Sequence, residues 1–409
     1  MKKSILKKYA QLIAETGLNV QKDQDVIIFA GLDQPEFVKM VVEACYKRKA
    51  RKVTVQWSYP ELTKLDSKYC SLKTLSTISK EELARLETMA ESYPCRLFID
   101  SDDPDALKGA NQEKLLKARA AKYPITKKYR DAIENKHQWC IVGVPGKKWA
   151  KKVFPSLPVS QAMEKLWDNI LTTARVTDDP IKAWEEHDHD LKSRCRYLND
   201  LGIDYLEYHN SLGTNFKVWL LEDSVFMGGG STLLNRKDVI FQPNIPSEEC
   251  FTSPMRGKAE GIVYSALPLS YNGELIENFN LTFKDGHVVE AHAEKGEELL
   301  NKMIHMDESA SYLGEVALVP FTSPINQTGT LFYNTLYDEN AVCHLALGMG
   351  FDECVKDFEK YTHEEILAKG INDSMIHVDF MIGTSDLDIK AHTKDGKIVQ
   401  IFKNGVWAF

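Results

Sequence analysis

The chain has 409 residues, 43% hydrophobic and 27% charged, with a net charge of −8. That is the composition of a folded globular protein, and its acidic balance gives a nucleic-acid role no electrostatic support. No segment reaches the roughly 18 consecutive apolar residues of a membrane span, and no apolar run follows Met1-Lys2-Lys3 as in a signal peptide, so a cytoplasmic protein of about two domains is expected.

The first part alternates helical and strand patterns. Ile5 to Thr16 reads as an amphipathic helix stopped at Gly17, and Asp25 to Ala30 as a buried strand rich in β-branched residues. Pro35 suits the first turn of a helix whose Phe37, Val38, Val41, Val42 and Cys45 follow helical spacing. Lys52–Trp57 is the next strand, so the three make a βαβ unit, which implies a parallel sheet. Arg96–Asp100 and Trp139–Val144 read as further strands of it. The loop at Gly31 has neither a dinucleotide fingerprint nor a P-loop, so a plain α/β scaffold is expected there. Lys147, Lys148, Lys151 and Lys152 read as a solvated face.

A helical connector, roughly Ser160 to Leu201, follows a cluster of prolines. Its run Glu185-Glu186-His187-Asp188-His189-Asp190 looks like a metal cluster, but neighbours on a helix point in different directions, and a charged solvated face is expected. The first domain is placed at residues 1–190, connector included, and the second at 191–409. From Asp204 onward the pattern is mainly β, with hairpin turns at 211–214, 284–286, 394–396 and 403–405. Helices are expected at 296–304, 340–347 and 363–368. The fold class is therefore an N-terminal α/β domain with a mainly parallel sheet, followed by a β-rich α+β catalytic domain with flanking helices. The eight cysteines never form Cys-x-x-Cys, which argues against a disulfide scaffold or zinc ribbon. Cys250 and Cys343 adjoin candidate ligands but read as small buried hydrophobes.

Five side chains of the second half have metal-binding chemistry: Glu249, Glu315, His344, His377 and Asp379. His377 and Asp379 are two apart on a strand and share a face, so an imidazole and a carboxylate point together. Glu248 and Glu249 lie between prolines, where adjacent residues in extended chain face opposite ways: one is free to bind metal while its neighbour serves as a base on water. Glu315 enters an apolar strand and needs a partner, either a metal or a salt bridge. His344 lies among apolar residues, as core histidines also do. Asp338, Glu339 and Asn340 read as capping groups. Three carboxylates and two imidazoles exceed what one catalytic zinc needs and suit two metals sharing a carboxylate.

The segments Pro246-Ser247-Glu248-Glu249-Cys250-Phe251-Thr252-Ser253-Pro254, Gly314 to Pro320, Tyr333 to Gly348 and Ile376 to Gly383 resemble the thermophilic metallo-aminopeptidase family, in order and over nearly the whole chain. The resemblance implies ligands at Glu249, Glu315, His344, His377 and Asp379. It implies two divalent metal ions per chain, zinc or cobalt, with manganese and magnesium as further candidates. It also implies peptide substrates with a free N-terminus, a homodimer, and an N-terminal domain that restricts access to the site. Many members carry a tyrosine where this chain has Phe351, which has no hydroxyl for a developing oxyanion. Tyr337, or Tyr333, is the substitute, and Glu248 is the candidate general base. The rival readings are another metal-dependent peptidase or amidase, such as a dipeptidase, and a non-catalytic peptide-binding protein.

Overall fold

In the first unit, short apolar strands pair in parallel because each is flanked by helices that bury it. The computed structural model describes residues 1–101, 103–271 and 273–409. Strands β1 (Asp25–Gly31), β2 (Lys52–Ser58), β3 (Cys95–Asp100) and β4 (Trp139–Gly143) are joined by a two-residue strand, β5 (Asn244–Ile245). The order is β2-β1-β3-β4-β5 and every pairing is parallel. Val26, Ile28 and Ala30 are buried on β1, and the helix Pro35–Lys47 covers them with Phe37, Val38, Val41 and Cys45, one apolar stripe of helical period. The lysine face is balanced by acids: Lys148 pairs with Glu61 at 3.0 Å and Lys152 with Asp105 at 2.9 Å.

The chain divides into two compact units, residues 1–184 with 230–246, and residues 185–229 with 247–409. The strand β5 that completes the parallel sheet thus comes from a segment far along the chain. Two residues, Asn244 and Ile245, are too short to carry a periodic signal. The expected continuous connector is two helices, Val159–Thr173 and Pro180–Asp200. Pro180 cannot continue a preceding helix but suits the first turn of a new one, and Asp179 accepts the Lys182 N–H at 3.1 Å to cap it.

The second unit is built on two antiparallel sheets. The larger has nine strands, running from Leu269–Tyr271 at one edge to Val406–Trp407 at the other. The smaller has the order β6 (Cys250–Thr252), β7 (Leu313–Leu318), β8 (His344–Gly348), β9 (His377–Met381). The helix expected over 340–347 is not formed: a short helix, Thr335–Glu339, ends before it, and His344 opens a strand. An apolar run buried on both faces carries no period that separates strand from helix, and pairing with β7 and β9 on either side decides for strand. Among the described residues, no helix is long and apolar enough to cross a membrane.

Candidate metal centre

The register of the small sheet gathers the site. Paired residues of antiparallel strands share a face, and so do residues two apart. Glu315 pairs with Ala346, which pairs with Asp379; Ala317 pairs with His344; Gly348 pairs with His377. All lie on one face, and the charged side chains alternate with small ones. Ala317 and Ala346 place small side chains between the charged ones on that face. Gly348 has φ +103°, and a Cβ there would meet the Ile376 carbonyl oxygen at 2.1 Å, so no other residue fits. The opposite face carries Val316, Leu318, Leu345, Leu347, Val378 and Phe380, all within one hydrophobic core. Each such burial is worth about 1.5–3 kcal/mol, which anchors the sheet and therefore the polar face.

Glu249 immediately precedes β6, and its Oε2 is 3.3 Å from His344 Nε2. His377 Nε2 lies 3.1 Å from Glu315 Oε2 and 3.3 Å from Asp379 Oδ1. Two ligand sets result: Glu249, Glu315 and His344, and Glu315, His377 and Asp379, each with ligand atoms within 4.8 Å of one another. Glu315 belongs to both.

Both imidazoles are oriented alike. His377 Nδ1 is 2.7 Å from the Met349 carbonyl and His344 Nδ1 is 3.3 Å from that of Val342. A carbonyl only accepts, so Nδ1 carries the proton in each ring and Nε2 is turned into the cluster. Metal-ligating histidines are held in this way. Asp379 Oδ1 is buried and makes no well-formed hydrogen bond, with His377 Nε2 standing 3.3 Å away, and an oxygen so placed suits a cation. The residues therefore fit a divalent metal.

The electrostatics agree. Burial pushes the Glu315 carboxyl up to about 7, against the pull of His377. Burial disfavours the His344 cation, yet the carboxylates of Glu249, Glu315 and Asp379 outweigh it and raise the imidazole to about 9. His377 is raised in the same way by Asp379 and Glu315. Burial also opposes ionisation of Asp379, but cationic His377 holds that carboxyl below its usual range. A metal ion must displace the protons on Glu315, His344 and His377, so binding releases protons. Metal affinity is expected to rise with pH through the range up to about 9, where His344 gives up its proton. Calorimetric titration in buffers of different ionisation enthalpy measures this; an affinity flat across that range refutes it.

Two residues assigned only to capping belong to the site. Glu339 ends the short helix and hydrogen-bonds Asp379; burial, together with the charges of Asp379, Glu249 and Glu315, keeps its proton on well above the usual range. Asn340, fully buried, donates to Glu339 Oε1 at 3.2 Å. The signal available in the sequence was their place on the segment leading directly into His344. Asp338 instead accepts the N–H groups of Phe332 and Asn334, at 2.8 and 3.0 Å, and so shapes the loop before the helix. Within the acidic run of the connector, Glu185, Glu186, His189 and Asp190 are exposed as expected, but His187 turns inward, its side chain 9% exposed. Tyr337 is fully buried, its ring stacked on Phe332 at 4.6 Å. It lies two residues before Glu339 and so on a different side of the turn. The Phe351 ring lies 4.9 Å from that of His377 and walls one side of it. Cys250 and Cys343 are buried and free.

Residues 2–407 match the family model described as thermophilic metalloprotease (M29). The chain is 39% identical over 406 residues to aminopeptidase AmpS of Bacillus subtilis, covering 99% of this chain and 98% of that protein. It is 35% identical over 412 residues to aminopeptidase T of Thermus aquaticus, covering 98% of each. The solved structure of wild-type AmpT from Thermus thermophilus superposes with a TM-score of 0.90 at 34% identity, covering 100% of both chains.

Proposed function

The chain belongs to the thermophilic metalloprotease (M29) family, and on that premise we propose that it is a metal-dependent aminopeptidase with a two-metal centre, removing N-terminal amino acids from peptides. The observation that carries this is the pair of ligand sets joined by Glu315, with both histidine Nε2 atoms aimed into them. Glu249, Glu315 and His344 would hold one ion and Glu315, His377 and Asp379 the other. Glu339 adds a fourth carboxylate beside Asp379. When bound, divalent ions supply Lewis acidity that activates water near neutral pH, polarises the scissile carbonyl and gives a free α-amine a partner.

The chain's own residues do the rest. Glu248 precedes the ligand Glu249 and is buried. As general base it takes a proton from the attacking water and returns it to the leaving amine. The Met349 carbonyl accepts from His377 Nδ1 and so keeps Nε2 turned toward Glu315 and Asp379. Phe351 excludes water from the ring face and offers no hydroxyl, so an oxyanion donor must lie elsewhere. Tyr337 is the candidate for that role, although its packing on Phe332 favours a supporting one.

Hydrolysis of a panel of aminoacyl-p-nitroanilides tests the proposal, assayed as purified, after chelation, and after adding back zinc, cobalt, manganese or magnesium. Activity is expected to vanish with chelator and return with metal, and peptides with a blocked N-terminus are expected to be inert. Equal turnover of blocked peptides would move the protein to the dipeptidase or amidase class. No turnover with metal bound would favour a peptide-binding protein. Tyr337→Phe in the same assay tests the oxyanion assignment: unchanged kcat removes it. A cytoplasmic homodimer belongs to the same reading, and a monomer by light scattering at assay concentration would remove the dimer.

A further inference from the structure

We propose that His187 is a positioning residue for Glu248: from the helix Pro180–Asp200 it clamps the peptide unit that decides where the Glu248 carboxylate points. The inference rests on Glu248 being the general base.

The Ser247–Glu248 peptide has two polar ends, and a different side chain holds each. His187 Nε2 is 2.7 Å from the Ser247 carbonyl oxygen. That oxygen only accepts, so Nε2 carries the proton and donates it. At the other end, the Glu248 N–H donates to Asn340 Oδ1 at 2.7 Å. Asn340 is itself fixed, because its Nδ2 donates to the Leu336 carbonyl at 3.0 Å and to Glu339 Oε1 at 3.2 Å. One jaw of the clamp is thus tied to the carboxylate cluster, and the other is a rigid helix.

The clamp matters because two adjacent glutamates share this segment. In extended chain their side chains face opposite ways, so tilting the peptide between Ser247 and Glu248 would move both carboxylates at once. Glu249 has to reach His344, and Glu248 has to point elsewhere for proton transfer. Holding both atoms of the preceding peptide fixes that division of labour. His187 does not compete for the base: its Nε2 is 3.8 Å from Glu248 Oε2, beyond hydrogen-bond range. Its neighbours Glu185, Glu186, His189 and Asp190 are exposed, so a solvated helix face does not account for it.

The test compares His187→Gln, which keeps an N–H at similar reach, with His187→Met, similar in length but without a donor. Both are made in the full-length, metal-loaded enzyme. The Met variant is expected to lose about 10-fold in kcat with KM little changed, the usual scale for a partner that orients a site residue. Metal content and thermal midpoint are expected to stay near wild type, and the Gln variant to recover most of the loss. In a Glu248→Gln background the Met substitution should cost nothing further, because the residue it positions no longer acts. An equal fold-loss in both backgrounds overturns the inference while leaving Glu248 as base. Near-normal turnover of Glu248→Gln alone overturns both, and the two failures are distinguishable. If the Met variant does not fold, the Gln variant still decides: folded, metal-loaded Gln protein with kcat below about a tenth of wild type refutes the clamp.

Discussion

Glu315→Gln is expected to lose metal from both ligand sets together and to lower kcat/KM by at least roughly 1,000-fold, about 4 kcal/mol of transition-state stabilisation. Glu315 is the one residue common to both sets, and glutamine keeps its shape while removing the charge. The fold should survive the change. Glu315 lies in a fully buried strand, where a carboxyl pushed up to about 7 by burial is a cost to the metal-free protein. A neutral amide therefore leaves the apo fold as stable or more so. His377→Gln provides the contrast, since it touches only one set and should spare part of the metal. Metal content by elemental analysis, with circular dichroism for the fold, reads both variants. Full metal occupancy in Glu315→Gln, with turnover within about 10-fold of wild type, would mean that the shared carboxylate is not a ligand.

Glu248→Gln is expected to keep its metals and lose about 100- to 10,000-fold in kcat, the range for removal of a positioned general base. Its neighbour Glu249 faces His344, whereas Glu248 is in neither ligand set. The two adjacent glutamates should therefore separate cleanly: Glu249→Gln is read in metal content and Glu248→Gln in turnover at full metal content. The expected split fails if Glu248→Gln turns over nearly normally, which places the base elsewhere, or if it loses metal, which makes Glu248 a ligand.

Much of the site was legible because its chemistry is carried by residue type and short spacing. His377 and Asp379, two apart in a strand pattern, had to share a face, and Glu315 entering an apolar strand had to find a partner. Less legible are local conformation where both faces are buried and contacts made at long range. His344 reads as helical because a buried apolar run such as Ala341–Leu347 carries no period that separates helix from strand once both faces are buried. Glu339 and Asn340 read as caps because a polar residue near a helix end usually is one. His187 reads as part of a solvated face because four of its neighbours in the run are acids and the helical pattern alone does not say which side of a helix meets protein.

By itself, the sequence determined the parallel α/β unit, the β-rich second half, the five candidate ligands and the family likeness. The first three depend on periodicity or residue chemistry over a few positions, and the likeness on four segments that match in order. Only the tertiary structure decided that Glu315 joins two ligand sets, that Glu339 stands beside Asp379, that residues 244–245 complete the first sheet, and that His187 and Asn340 grip one peptide. Those facts depend on strand register and on contacts between segments far apart in the chain, such as the 60 residues between His187 and Ser247 and the 92 between Glu248 and Asn340. No local pattern encodes them, because each is settled by which surfaces can be buried together at once.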